Sequence, residues 1–113
     1  MDIPVKIADG IAIAAIPVDE LDAGNADEFK RDIGPVLQAH SKIIFDLTRL
    51  TFIDSSGLGA MLSSLRQLSA RGGDLKLCGM SKQVRDLFEL VRMHRIFDIY
   101  AACQEAVKAF QAK

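Results

Sequence analysis

Asp54-Ser55-Ser56-Gly57 is the stretch of this chain best suited to chemistry, because it joins a carboxylate, two hydroxyls and a glycine where a strand pattern gives way to a helical one. A hydroxyl at such a junction sits at the positive end of a helix dipole. The N–H groups of a first helical turn have no intrahelical acceptor and favour a nearby negative charge by about 0.3–1 kcal/mol at the surface. A serine here can carry a phosphoryl group without rearranging the fold. The same residue types also act as helix N-caps, accepting from the backbone two or three residues on. Taken alone, these residues leave both readings of Ser55 open: phosphate acceptor and cap.

Other chemistries fit less well. A hydrolase nucleophile on a strained strand-to-helix turn wants Gly-x-Ser-x-Gly, and Phe52 and Ile53 stand where the upstream glycine is needed. A base is also missing, since His40 falls before a strand pattern and His94 lies between basic residues in Arg92-Met93-His94-Arg95. Neither GxxxxGK[ST] nor GxGxxG occurs, so no nucleotide cradle is expected. The acidic loops Asp19-Glu20-Leu21-Asp22 and Asp54-Ser55-Ser56-Gly57 lack the phosphate ligands that Mg²⁺ sites usually borrow, and no cofactor or resident metal is expected.

The elements that must position Ser55 follow from periodicity. Asp9-Gly10 is a hairpin dipeptide pairing Val5-Lys6-Ile7-Ala8 with Ile11-Ala12-Ile13-Ala14-Ala15-Ile16. A helix is expected from near Ala23, with Ala26, Phe29, Ile33 and Leu37 on one face and a kink or break at Gly34-Pro35. Ile43-Ile44-Phe45-Asp46-Leu47 reads as a buried strand. After the Asp-Ser-Ser-Gly turn, Leu58, Met61, Leu62, Leu65 and Leu68 build a helical face that ends at Gly72-Gly73. The opposite side, Ala60, Ser63, Ser64, Gln67 and Arg71, reads as an ordinary solvated face or as a low-relief surface for a partner. Leu75-Lys76-Leu77-Cys78 and Ile96-Phe97-Asp98-Ile99 read as further strands. Val84, Leu87, Phe88 and Val91 line the helix between them, and Cys103, Val107 and Phe110 line a last one. Strands separated by helices run parallel through right-handed crossovers, so the expected fold is α/β, a mixed and mostly parallel sheet of about five strands with about four helices.

Composition bounds the rest. At 113 residues, half of them hydrophobic, the chain holds one domain over 1–113. Its 14 basic and 15 acidic residues form no basic run with interleaved aromatics, which argues against nucleic acid. No apolar run reaches the length of a membrane span and the start has no signal-peptide pattern, so a cytoplasmic protein without a membrane partner is expected. The faces leave no large apolar patch, which points to a soluble monomer. Cys78 and Cys103 are far apart in sequence and read as two separate small buried apolar residues.

The run from Leu47 to Gly59, Leu47-Thr48-Arg49-Leu50-Thr51-Phe52-Ile53-Asp54-Ser55-Ser56-Gly57-Leu58-Gly59, resembles the signature of the STAS domain of bacterial anti-sigma factor antagonists. The resemblance extends through Gly72-Gly73-Asp74-Leu75-Lys76-Leu77-Cys78-Gly79 and Val84-Arg85-Asp86-Leu87-Phe88-Glu89-Leu90, and covers almost the whole chain. It implies a non-enzymatic switch phosphorylated at Ser55, with Ser56 helping to cap the helix. Docking residues are expected at Asp22, Asp54, Ser56, Gly57, Ala60 and Ser64. Its partners would be an anti-sigma factor that is also a serine kinase with a histidine-kinase-like ATP site, and a metal-dependent serine phosphatase. Two departures stand out: Asp19 replaces the glycine of the family's Gly-x-Leu-Asp loop, and Pro35 interrupts the first helix. The alternative role within the resemblance is an accessory subunit or scaffold of a transport or stress-sensing assembly.

Overall fold

A computed structural model describes residues 1–112. Strands β1 (Val5–Ala8), β2 (Ile11–Ala15), β4 (Lys42–Asp46), β6 (Asp74–Cys78) and β7 (Asp98–Tyr100) form one sheet in the order β1-β2-β4-β6-β7. Only the β1–β2 pair is antiparallel, as the Asp9-Gly10 turn requires, with Asp9 and Gly10 both at positive φ. Two further strands, β3 (Glu20–Leu21) and β5 (Phe52–Ile53), pair in parallel beside the sheet. The helices are α1 (Ala26–Ala39), α2 (Ser55–Ala70), α3 (Lys82–Leu90) and α4 (Cys103–Gln111). The α/β architecture expected from the alternation of patterns is the observed one.

The period of two along the strands divides the interior. Ala12, Ala14, Ile43, Phe45, Leu75 and Leu77 face α1, α2 and α3 in the larger cluster, where Phe29 meets Phe45 edge to face with ring centroids 5.8 Å apart. Ile11, Ile44 and Cys78 face the other way and are covered by α4 through Ala106, Val107 and Phe110. Lys76 lies on that second face, 7% exposed, with its Nζ 2.9 Å from Asp98 Oδ2, 3.2 Å from Asp74 Oδ2 and 4.6 Å from the Phe110 ring centroid.

Four expectations are corrected. Helix α1 starts at Ala26 rather than near Ala23, because residues 22–25 form a turn in which the Asp22 carbonyl accepts from the N–H groups of Asn25 and Ala26. Pro35 neither breaks nor splits α1. Ile33 and Leu37 on either side of it are fully buried, and that packing holds one continuous helix around a proline whose ring faces solvent. The last strand is Asp98–Tyr100, since a 3-10 turn at Met93–Arg95 leads into Phe97, which packs against Phe88 with centroids 5.9 Å apart. Finally, Cys78 and Cys103 are not separate: they form a disulfide, with Cα atoms 5.0 Å apart. Docking α4 on the end of β6 brings together residues 25 apart in sequence.

Candidate functional site at the start of α2

The site is built where β3 and β5 lie side by side. The register Glu20↔Phe52 and Leu21↔Ile53 brings the acidic loop of residues 19–22 alongside the start of α2. Asp19 braces it from the other end: its carbonyl accepts from Thr51 N–H at 2.7 Å and its carboxylate pairs with Arg49 at 2.9 Å. The position that departs from glycine therefore has a structural use here.

Asp54 is the N-cap of α2. Its Oδ1 accepts from Gly57 N–H at 3.0 Å, and its Oδ2 accepts from Ala23 N–H at 3.1 Å, so one carboxylate closes the helix and ties the acidic loop to it. The Gly57 N–H is the main reason its carboxyl is held below the usual carboxylate range; partial burial opposes this and the Ala23 N–H adds to it. The choice that the sequence left open is thereby decided as regards the cap. Asp54 does the capping, and Ser55, the first residue of α2, is exposed. Ser56 is exposed beside it and is not the cap that the resemblance implied. The first turn of α2 carries no acidic side chain, so only the cap meets the positive end of the dipole from within it.

Asp22 is half-buried in the facing loop. Its Oδ1 accepts from Gly24 N–H at 2.9 Å, its N–H donates to Asn25 Oδ1 at 2.9 Å, and Asn25 Nδ2 donates to the Glu20 carbonyl at 2.8 Å. This network fixes the loop that Asp54 holds against α2.

Three of the expected docking residues face inward. Gly57 is buried against β3: a Cβ there would collide with the Leu21 carbonyl oxygen and approach Ile53 Cγ1 to 2.6 Å. Ala60 and Ser64 are each 1% exposed, and the Ser64 hydroxyl donates to the Ala60 carbonyl at 3.0 Å. The small side chains let α2 pack closely into the fold, so the expectation of an open face through Ala60 and Ser64 is corrected. The exposed surface of α2 runs instead through Ser55, Ser56, Gly59, Arg66 and Gln67. Phe52, 50% exposed, was missed as a surface residue. With Thr51, Gln83 and Leu87 it lines a shallow cavity between β5 and α3.

The sequence matches the STAS domain family over residues 2–106. The chain belongs to that family. An anti-sigma-B factor antagonist of Listeria monocytogenes is 31% identical over 101 residues, covering 88% of each chain. The anti-sigma-B factor antagonist of Bacillus subtilis is 26% identical over 89 residues, covering 79% of this chain and 82% of that one. Among solved structures, a Thermotoga maritima protein provisionally assigned as an anti-sigma factor antagonist superposes with a TM-score of 0.89 at 29% identity, over 97% of this chain and 95% of that one. A sulfate transporter family protein from Wolinella succinogenes shares the fold alone, with a TM-score of 0.78 at 19% identity over 92% and 87% of the two chains. A shared fold does not fix a role, so Ser55 and its surroundings must carry the functional argument. Among the described residues, no helix is long and apolar enough to cross a membrane.

Proposed function

We propose that this STAS domain is an anti-sigma factor antagonist that acts in the cytoplasm by binding rather than catalysis, and that phosphorylation of Ser55 switches it. Unphosphorylated, it binds an anti-sigma factor that is also a serine kinase with a histidine-kinase-like ATP site, and so frees a sigma factor. Phosphorylated, it is released until a metal-dependent serine phosphatase restores the hydroxyl. The observation that carries the reading is an exposed Ser55 hydroxyl at the first position of α2, next to an aspartate that has taken over the capping role. The relatives named as anti-sigma factor antagonists supply the output.

The physics of the switch is local. A phosphoserine brings roughly −1.5 to −2 charges and three acceptor oxygens. Placed at a helix start already bordered by Asp54 and the Asp22 loop, that charge opposes an acidic or apolar docking surface while the helix dipole tolerates it. The Phe52 side of the site gives a docking partner apolar area from which a phosphate would have to be desolvated.

Incubation with the cognate kinase and ATP, followed by mass spectrometry, tests the assignment. The phosphate is expected on Ser55, and Ser55→Ala is expected to lose phosphorylation while retaining kinase binding and releasing the sigma factor constitutively. Phosphate on Ser56 or Ser63, with Ser55→Ala still modified, would overturn it.

A further inference from the structure

The two sulfurs of the Cys78–Cys103 disulfide are not equivalent. Cys78, the last residue of β6, is fully buried; Cys103, the first residue of α4, is partly exposed and lines a cavity of about 380 Å³ with Lys6, Ile13, Asp46 and Val107. This cavity lies between the β1–β2 edge and α4, on the sheet face away from α1 and α2. Besides the disulfide, α4 is held there by an apolar stripe through Ala106, Val107 and Phe110, by the Lys76 ammonium over the Phe110 ring and, at its last residue, by Gln111 Nε2 donating to Asp9 Oδ2 at 2.8 Å.

We propose that Cys78–Cys103 is a reversible oxidation site that exchanges through Cys103 with low-molecular-weight thiols and disulfides of the glutathione class, and that its state sets how firmly α4 is held on the sheet. Thiol–disulfide exchange needs a sulfur that an incoming thiolate can reach, and the cavity offers only one of the two. In the reducing direction an external thiolate attacks Cys103 Sγ, the protein S–S bond breaks, and Cys78 leaves as a thiolate that takes up a proton. A second external thiolate then attacks the external sulfur of the mixed disulfide, the bond to Cys103 breaks and Cys103 leaves as a thiolate that takes up a proton, giving the protein dithiol and one external disulfide. The oxidising direction reverses these steps and consumes one external disulfide. Because Cys103 opens α4, breaking the bond releases the end of the helix that the apolar stripe does not hold. The proposal does not depend on Ser55 or on any kinase, and its test uses the isolated protein.

The full chain is equilibrated in glutathione buffers of graded thiol-to-disulfide ratio, quenched in acid, alkylated and weighed intact. Two alkyl groups are expected to appear together in one transition within the buffer range. Folded Cys78→Ala is expected to take up one glutathione at Cys103, and folded Cys103→Ala none at Cys78. Amide exchange in α4 is expected to be slower by roughly a hundredfold in the oxidised form, the scale of a disulfide closing a loop of this size. A bond that stays intact across all buffers, thiols that never pair, or glutathione uptake at Cys78 rather than Cys103 would overturn the proposal. So would one zinc ion per reduced chain masking both thiols, since the Asp46 carboxylate and both sulfurs lie within 4.8 Å of one another. Equal exchange in the two forms would overturn the control of α4.

Discussion

Gly57 and Gly59 lie two residues apart in α2, and alanine at each separates helix propensity from packing. Both substitutions add the same methyl group and both should gain up to about 1 kcal/mol from propensity alone. At Gly59 a Cβ meets nothing within 4 Å, so that gain should appear undiminished. At Gly57 the Cβ would collide with the Leu21 carbonyl oxygen on one side and approach Ile53 Cγ1 to 2.6 Å on the other, about 1 Å inside an ordinary carbon contact. Relieving it means moving β3, a backbone neighbour rather than a flexible side-chain tip, so the cost belongs at the upper end of the roughly 1–3 kcal/mol of overpacking. The expected net effect is a loss of about 2 kcal/mol for Gly57→Ala and a gain of up to about 1 kcal/mol for Gly59→Ala. For a domain of this length 1 kcal/mol corresponds to about 4 °C in Tm, so thermal unfolding by circular dichroism should separate the two variants by about 12 °C. A separation under about 4 °C would refute the close approach of α2 to β3 on which the placement of Ser55 beside the acidic loop rests.

Other outcomes can be checked with the same protein. Pro35→Ala should raise Tm by about 4 °C, because it restores an N–H to a helix that already continues through this position. Asp22→Ala should leave the fold intact and weaken kinase binding in a titration calorimetry experiment; a cooperative unfolding at room temperature would instead make the Asp22 turn purely structural. Burial alone would lower the Lys76 pKa, but its bonds to Asp98 and Asp74 outweigh it and the value is raised. Its contribution to stability is therefore present below the ordinary lysine pKa of about 10.4 and is lost as pH rises through the raised value. As pH rises above the ordinary lysine value of about 10.4, the wild-type Tm should fall more steeply than that of Lys76→Met.

The order of strands and helices was legible in the sequence because its signals are local. Asp9-Gly10 fixes a hairpin, the alternation of Ile43, Ile44 and Phe45 fixes two faces of a strand, and Gly72 at positive φ ends α2. The position of Ser55 at the start of a helix was legible for the same reason. Tertiary structure decided what local patterns could not carry. Whether Asp54 or a serine caps α2 depends on which oxygen reaches Gly57 N–H and whether the same carboxylate also meets Ala23, 31 residues away in sequence. Ala60 and Ser64 read as an open face because small residues suit both solvent and close helix packing, and only the docked helices bury them. Pro35 is overruled by the burial of Ile33 and Leu37, and the cysteines meet only because α4 covers the second face of the sheet. In each case the deciding contact joins elements that the chain separates, and local propensity holds no information about such a contact.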